Sequence, residues 1–316
     1  MTQAKRPFVR VTELWVPTAD GQKLQLAQGQ YGNLSDFENV SANLEFAFGE
    51  GLPGKAWKDG HPIVMHDLSK PLFLREDAAR KVGLTCGVAV PVIKGEETKA
   101  VLVLLCGDSE EHLGAIEVWN APPGEHDMGL SDGYFGTASK FEFQSKHMKF
   151  RKGFGLPGLA WEAGTPIVMG DLGRTKKFIR RQSAETSGIT RGLGIPLGDR
   201  DDGTWVLTIL SALSTPIAGR FEVWLPNEDG DGLVFDTGIC ESGADLGGAY
   251  EGLSVNKVDS ALGRALHDGI PWISTSIEDE SPEVSASCKA AAELSRLVAM
   301  PVYSGEKLNS VVAWYS

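Results

Sequence analysis

The apolar positions begin with period two, shift to helical spacing and then return to strands. Arg10–Pro17 alternates and reads as a strand. A turn at Ala19-Asp20-Gly21 leads to a second alternating run, Leu24-Gln25-Leu26-Ala27, making a hairpin. Asp36 to Phe46 carries Phe37, Val40 and Leu44 at helical spacing. Pro53 at a helix start and Gly60 at its stop predict a short helix over Pro53–Asp59. Pro62–His66 reads as a strand, and Arg75–Val82 as a helix closed by Gly83. Gly87–Ile93 and Lys99–Cys106 form a last hairpin turning at Lys94-Gly95-Glu96-Glu97. Strand pairs at both ends with helices between predict an α+β unit, in which the last hairpin pairs with the first strands to close one antiparallel sheet.

The pattern then repeats. Glu13-Leu14-Trp15-Val16-Pro17 returns as Glu117-Val118-Trp119-Asn120-Ala121 and as Glu222-Val223-Trp224-Leu225-Pro226, a period of about 105 residues. Gly51-Leu52-Pro53-Gly54 returns as Gly155-Leu156-Pro157-Gly158, and Pro91 matches Pro196 and Pro301. That period is the size of a small complete domain rather than a solenoid repeat. Three units are expected, at 1–109, 110–215 and 216–316.

Residues 49–68 (GEGLPGKAWKDGHPIVMHDL) and 73–92 (FLREDAARKVGLTCGVAVPV) resemble a bacterial GAF domain. Residues 153–172 (GFGLPGLAWEAGTPIVMGDL) and 178–197 (FIRRQSAETSGITRGLGIPL) are equally similar. The third unit keeps the frame in residues 260–277 (SALGRALHDGIPWISTSI) but has lost the Gly-Leu-Pro-Gly run, so it is a degenerate copy. The resemblance implies three tandem GAF-like domains, each a central antiparallel sheet with strand order 2-1-5-4-3, helices packed on it, and a pocket between them. It also implies long helices before and after each sheet, yet only Gly107–Gly114 and Leu213–Arg220 separate the units. Three helical turns need about 11 residues, so those helices are expected to be absent or vestigial. The uncovered apolar sheet faces should then be buried by one another or by an oligomeric partner. No kinase, cyclase or DNA-binding segment follows Ser316, and an output domain is not expected in this chain.

Bulk composition narrows the classes further. A net charge of −12 without a basic patch argues against nucleic acid, since phosphate contacts need clustered Lys and Arg. No apolar run approaches the roughly 20 residues of a bilayer-spanning helix, and the N-terminus lacks the apolar core of a signal peptide. Cys86, Cys106, Cys240 and Cys288 have no CxxC spacing. A cytoplasmic protein that meets neither membrane nor nucleic acid is expected.

The pocket implied by the resemblance would be lined by His66, Asp67, Phe73, Arg75 and Cys86 in the first unit, and by Asp171, Phe178, Arg180 and Arg191 in the second. An Arg offers a planar fork to a carboxylate or phosphate, and a Phe an aromatic wall. The competing expectation is that Arg75 and Arg180 pair with acids such as Asp67 and Asp171 and pin a loop. In the third unit the Phe73 and Arg75 positions hold Glu283 and Ser285. Symmetry about Glu96 would set Cys86 opposite Cys106, either as a redox or soft-metal pair or as two small core side chains. No HxxxH pair or Cys/His cluster indicates a metal. His66 and His147 are the histidines placed for a haem ligand, each also readable as a surface residue. The family's bilin-attachment and Asn-Lys-Xaa-Phe-Asp-Glu motifs are missing, and no cofactor is assigned.

Three functions are expected to compete. The first is a non-enzymatic regulatory or sensor protein that binds a small molecule in these pockets. The second is a protein–protein interaction or structural module that keeps the fold without a ligand, acting with a protein partner or as a homo-oligomer. The third, suggested by one branch of the resembled family, is a thiol-dependent methionine sulfoxide reductase using Cys86 with Cys106. The first is preferred, with no catalytic residue named.

Overall fold

The computed structural model describes residues 7–107, 112–213, 215–291 and 294–316. The first unit runs β1 (Val9–Pro17), β2 (Lys23–Gln30), α1 (Ser35–Ala42), β3 (Glu45–Ala47), α2 (Gly51–Asp59), β4 (Ile63–Met65), α3 (Glu76–Lys81), β5 (Leu84–Lys94) and β6 (Glu97–Gly107). Its sheet has the order β3-β2-β1-β6-β5-β4, and every pairing is antiparallel. This is the expected order with one strand added at an edge. The added strand is β3, which the spacing assigned to a helix over Asp36–Phe46. The helix stops at Ala42 because Phe46 is more fully buried in the sheet. It pairs with Leu24 and sets its ring edge-on to Trp15, 4.7 Å between centroids. Tertiary burial overrides a weak local propensity.

The second unit repeats the plan: β7 (Leu113–Ala121), β8 (Asp127–Gly136), α4 (Ser139–His147), β9 (Lys149–Arg151), α5 (Gly155–Ala163), β10 (Ile167–Met169), α6 (Arg181–Ser187), β11 (Ile189–Arg200) and β12 (Gly203–Ala212). So does the third: β13 (Arg220–Pro226), β14 (Leu233–Cys240), α7 (Leu246–Ala249), β15 (Ser254–Val255), α8 (Ala261–His267), β16 (Trp272–Ser274), α9 (Pro282–Ala290), β17 (Leu297–Ser304) and β18 (Lys307–Tyr315). The sheet orders are equivalent in all three units. The architecture is therefore α+β, three tandem sheet-and-helix domains. The expected boundary at 109/110 and half of the short joint Gly107–Gly114 lie outside the described residues, as does residue 214.

The Gly-Leu-Pro-Gly helices show why the third copy diverges less than its sequence suggests. Gly51 and Gly155 turn into their helices with φ of 61° and 66°, a region that favours glycine. The third unit has Ser260 there, with φ of −80° and a side chain that caps Gly263 N. The second glycine of the run survives as Gly263. A Cβ on Gly54, Gly158 or Gly263 would lie within 2.2 Å of the carbonyl oxygen of Ala47, Arg151 or Lys257.

The outer sheet faces are covered by one another. Val88, Leu102 and Leu104 of the first unit, Ile116, Leu193 and Leu207 of the second, and Val298, Met300 and Val312 of the third join in one buried core. The helix-bearing faces form separate cores, as with Trp15, Phe37 and Phe73 in the first unit. The edges close a ring: β4 packs on β8, β10 on β14, and β16 on β2. Each seam has its own polar bond. His66 Nε2 meets Asp132 at 2.7 Å, Arg191 meets Glu241 at 3.3 Å, and Gln28 accepts the Ile273 backbone N–H at 2.9 Å. The hairpin tips meet at one end, where Gly95 N donates to Gly305 O and Arg200 reaches Gly95 O. The three units are thus an intramolecular trimer.

Candidate functional site

Central strand β1 alternates Val11, Glu13 and Trp15 toward the helices. Glu13 is fully buried. Its carboxylate takes both terminal nitrogens of Arg75, which stands just before α3. It also accepts the Tyr31 hydroxyl at 2.9 Å and Trp15 Nε1 at 3.1 Å. Arg75 Nη1 further donates to Ser41 of α1. The guanidinium lies over the rings of Phe37, Phe73 and Trp15, at 4.8, 5.0 and 5.6 Å. A bidentate Arg–carboxylate pair is thereby walled by aromatic rings, which favour a desolvated cation.

The second unit rebuilds the ion pair, its serine and its tryptophan, with Thr208 supplying the hydroxyl that Tyr31 gives in the first unit. Glu117 of β7 takes Arg180 through both terminal nitrogens, Ser145 at 2.8 Å, Thr208 at 2.7 Å and Trp119 Nε1 at 3.1 Å. The rings of Phe141 and Phe178 stand 4.4 and 5.2 Å from the guanidinium. Burial alone would raise the Glu117 carboxyl. Arg180, Thr208 and Ser145 outweigh it and hold the group below the ordinary Glu range.

The third unit keeps the carboxylate and re-sources the cation. The position of Arg75 and Arg180 is Ser285, but Arg220, two residues before Glu222 on β13, brings a guanidinium to the same place. The fit is looser. Arg220 Nη1 is 3.4 Å from Glu222, 3.2 Å from the Tyr250 hydroxyl and 3.3 Å from Cys288 Sγ. Glu222 relies mainly on neutral donors: Tyr250 at 2.9 Å, Trp224 at 3.0 Å and Tyr315. Burial therefore dominates, and the Glu222 carboxyl stays above its ordinary range.

The residues expected to line a pocket fall into separate places. Phe73 with Arg75, and Phe178 with Arg180, do come together under the helices. Asp67 and Asp171 lie outside, in exposed loops, with Asp67 accepting from Ser69 and Asp171 held at a φ of 51°. The acids that bind Arg75 and Arg180 are Glu13 and Glu117, not Asp67 and Asp171, because the two glutamates are buried in the helix-bearing face of β1 and β7. His66 and Arg191 belong to the seams. Cys86 stands opposite Cys106, as symmetry about Glu96 requires, but both thiols point into the core between sheets and not toward the helices. Burial pushes both thiols up, away from the reactive thiolate. The repeats do show these acids: a Glu recurs two residues before a Trp in the first strand of each copy.

Two hollows lie at the surface. One of about 430 Å3 is lined by Lys23, Gln25, Leu26 and the 42–45 segment, and one of about 730 Å3 by Lys94–Glu97, Lys99 and Glu306 at a hairpin tip. Neither is lined by any residue expected to bind a ligand. Among the described residues no group of three His, Cys, Asp or Glu side chains converges as metal ligands would, and no helix is long and apolar enough to cross a membrane.

Each unit is a curled antiparallel sheet with helices on one face. The family model for the GAF domain matches residues 14–119, from within β1 to within β7. The other two units repeat the same sheet order, consistent with three tandem GAF-like domains, and the GAF match supports a regulatory, sensing or ligand-binding module. No curated protein sequence matches it. Among solved structures it is similar to the nlh2 GAF domain of A. aeolicus in an inactive state (24% identity, TM-score 0.26, 32% of this chain and 60% of that one). It is also similar to the free methionine-R-sulfoxide reductase of Neisseria meningitidis with its substrate (20%, 0.25, 31% and 52%). A third is the Staphylococcus aureus NreA protein mutated in its nitrate binding site (16%, 0.27, 32% and 74%). This chain spans roughly half to three fifths of the first two proteins.

Proposed function

We propose that this chain is a non-catalytic, cytoplasmic regulatory protein whose three GAF-like units act as one rigid ring, working through its surface on a protein partner. One observation carries this reading. The guanidinium that each of the first two units could offer an anionic ligand is already closed, bidentate, on a buried glutamate of the same unit. An entering carboxylate would have to displace Glu13 or Glu117 and leave it buried and unpaired, at a cost of about 3–5 kcal/mol. The shared core supports a fixed ring as well, since the units cannot turn about one another without exposing it.

A second reading keeps a small-molecule ligand. In its favour, Phe73 with Arg75 and Phe178 with Arg180 present the same cation and aromatic wall at matched positions. A thermal-shift panel of nucleotides, carboxylates and phosphate esters separates the two. The surface reading expects no compound to raise the melting temperature, and expects a crosslinked partner to reform a complex of fixed stoichiometry when both are purified. A compound that stabilises the native chain saturably, and no longer does so after Arg75→Met or Arg180→Met, overturns it in favour of the ligand.

A further inference from the structure

The third unit differs from its siblings in chemistry as well as in packing. Where the first unit has Tyr31 and the second Phe135, it has Cys240. Where they have Ala78 and Ser183, it has Cys288. Cys240 ends β14 directly opposite Arg220 in the β13–β14 register. Residues opposed in this way hold their Cβ atoms about 4.5–5.5 Å apart. Cys288 reaches the same guanidinium from α9, with Sγ 3.3 Å from Arg220 Nη1. Cys240 Sγ lies 3.2 Å from the Ser242 hydroxyl. One cation therefore stands between two thiols contributed by a strand and a helix.

The two thiols are not equivalent. Cys240 retains 8% of its surface, whereas Cys288 is sealed. Burial pushes the Cys240 thiol up, but hydrogen bonds from Ser242 and Arg220 outweigh it and leave it below the ordinary thiol value. Burial pushes Cys288 up to about 12. Arg220 is committed to no single carboxylate: Nη1 divides itself among four partners at 3.2–3.4 Å, where Arg75 and Arg180 each grip a carboxylate with both terminal nitrogens.

We propose that Cys240 and Cys288 form an oxidation-responsive thiol pair, with Cys240 the nucleophile toward a small hydroperoxide, Cys288 the resolving thiol and Arg220 the positioning cation. The Cys240 thiolate attacks the outer oxygen of ROOH. An S–O bond forms, the O–O bond breaks, and the alkoxide takes a proton to leave as ROH. Sulfur loses two electrons and Cys240 becomes a sulfenic acid. The Cys288 sulfur then attacks Cys240 sulfur, and the departing hydroxide leaves as water with the Cys288 proton. The resulting disulfide ties β14 to α9 across the Arg220 site. None of this rests on the surface reading proposed above.

The test treats the full chain with hydrogen peroxide and maps non-reduced peptides by mass spectrometry. A Cys240–Cys288 cross-linked peptide is expected from the native chain. Cys288→Ser should accumulate a dimedone-trapped sulfenic acid on Cys240, and Cys240→Ser should give neither product. Iodoacetamide labelling against pH gives a second readout. Cys240 should label at pH 7 at least about tenfold faster than Cys288, with a midpoint below the ordinary thiol value. Arg220→Lys should preserve that midpoint and Arg220→Met should raise it. If Arg220→Met does not fold, the native and Arg220→Lys profiles decide. Absence of the cross-linked peptide, trapping on a different cysteine, or a Cys240 midpoint at or above the ordinary value overturns the proposal.

Discussion

Arg180→Met tests the buried pair most directly. Methionine fills much of the space of the Arg stem but removes the cation. Glu117, whose side chain has no exposed surface, is left with Ser145, Thr208 and Trp119 as neutral donors. Removing one partner of a buried ion pair costs about 3–5 kcal/mol. Three remaining donors place the expected loss near the lower end, about 3 kcal/mol at pH 7. In the variant only the neutral donors oppose burial, so the Glu117 pKa rises and protonation relieves the stranded charge. The deficit should therefore shrink from pH 7 to pH 5. Glu117→Gln with Arg180→Met removes the charge altogether and should be more stable than the sum of the single losses implies, with a coupling of about 2 kcal/mol. Urea unfolding followed by tryptophan fluorescence and circular dichroism reads all three. A loss under about 1 kcal/mol, a deficit indifferent to pH, or strictly additive losses would refute the argument that this pair organises the unit.

Arg220→Met should cost less than Arg180→Met, about 1–2 kcal/mol by the same unfolding assay, because Arg220 meets Glu222 in one 3.4 Å contact and not a bidentate pair. The two glutamates should respond oppositely to pH. Glu117 is held below its unfolded value, so its stabilisation is present above that value and is lost as pH falls through the folded one. Glu222 is held above its unfolded value, so stability associated with it is lost as pH rises through the folded one. Glu117→Gln and Glu222→Gln, each compared with the native chain across acid and neutral pH, should flatten these two slopes. Gly158→Ala should lower stability by about 1–3 kcal/mol in thermal unfolding, because the new Cβ meets the Arg151 carbonyl. His66→Ala should cost about 0.2–1 kcal/mol at most, as expected of an exposed pair. Hydrogen bonding to Asp132 raises the His66 pKa, so this contribution is full below the unfolded value and fades as pH rises through the folded one.

How much of this could be read beforehand differs from residue to residue. Pro53 with Gly60, and Pro157 with Gly164, located their helices, since backbone restriction is a local property. The facing of Cys86 and Cys106 followed from hairpin symmetry alone. Phe46 was misread because a short edge strand is settled by what it pairs with, here Leu24, and not by its own spacing. Arg75 and Arg180 are each closed on an acid, but not on the nearby loop residues Asp67 and Asp171. The true partners lie 62 and 63 positions earlier in the chain, on the central strands. Arg220 could not be found by aligning repeats, because it reaches the common place from a different position.

The sequence by itself determined that one sheet-and-helix plan is used three times, for periodicity, Pro and Gly positions and repeat spacing are all written locally. It also held an overlooked sign of what lies behind the sheets. The run Val101-Leu102-Val103-Leu104-Leu105 does not alternate, as a strand buried on both faces should not. Only the tertiary structure decided what covers those faces, which acid each Arg meets, and that Cys240 and Cys288 share one cation. Each of these depends on bringing together side chains far apart in the chain. The covering of the faces is set by closure of the ring on its common core, and the Arg and Cys contacts by each unit's own helix-bearing core, neither of which a local pattern encodes.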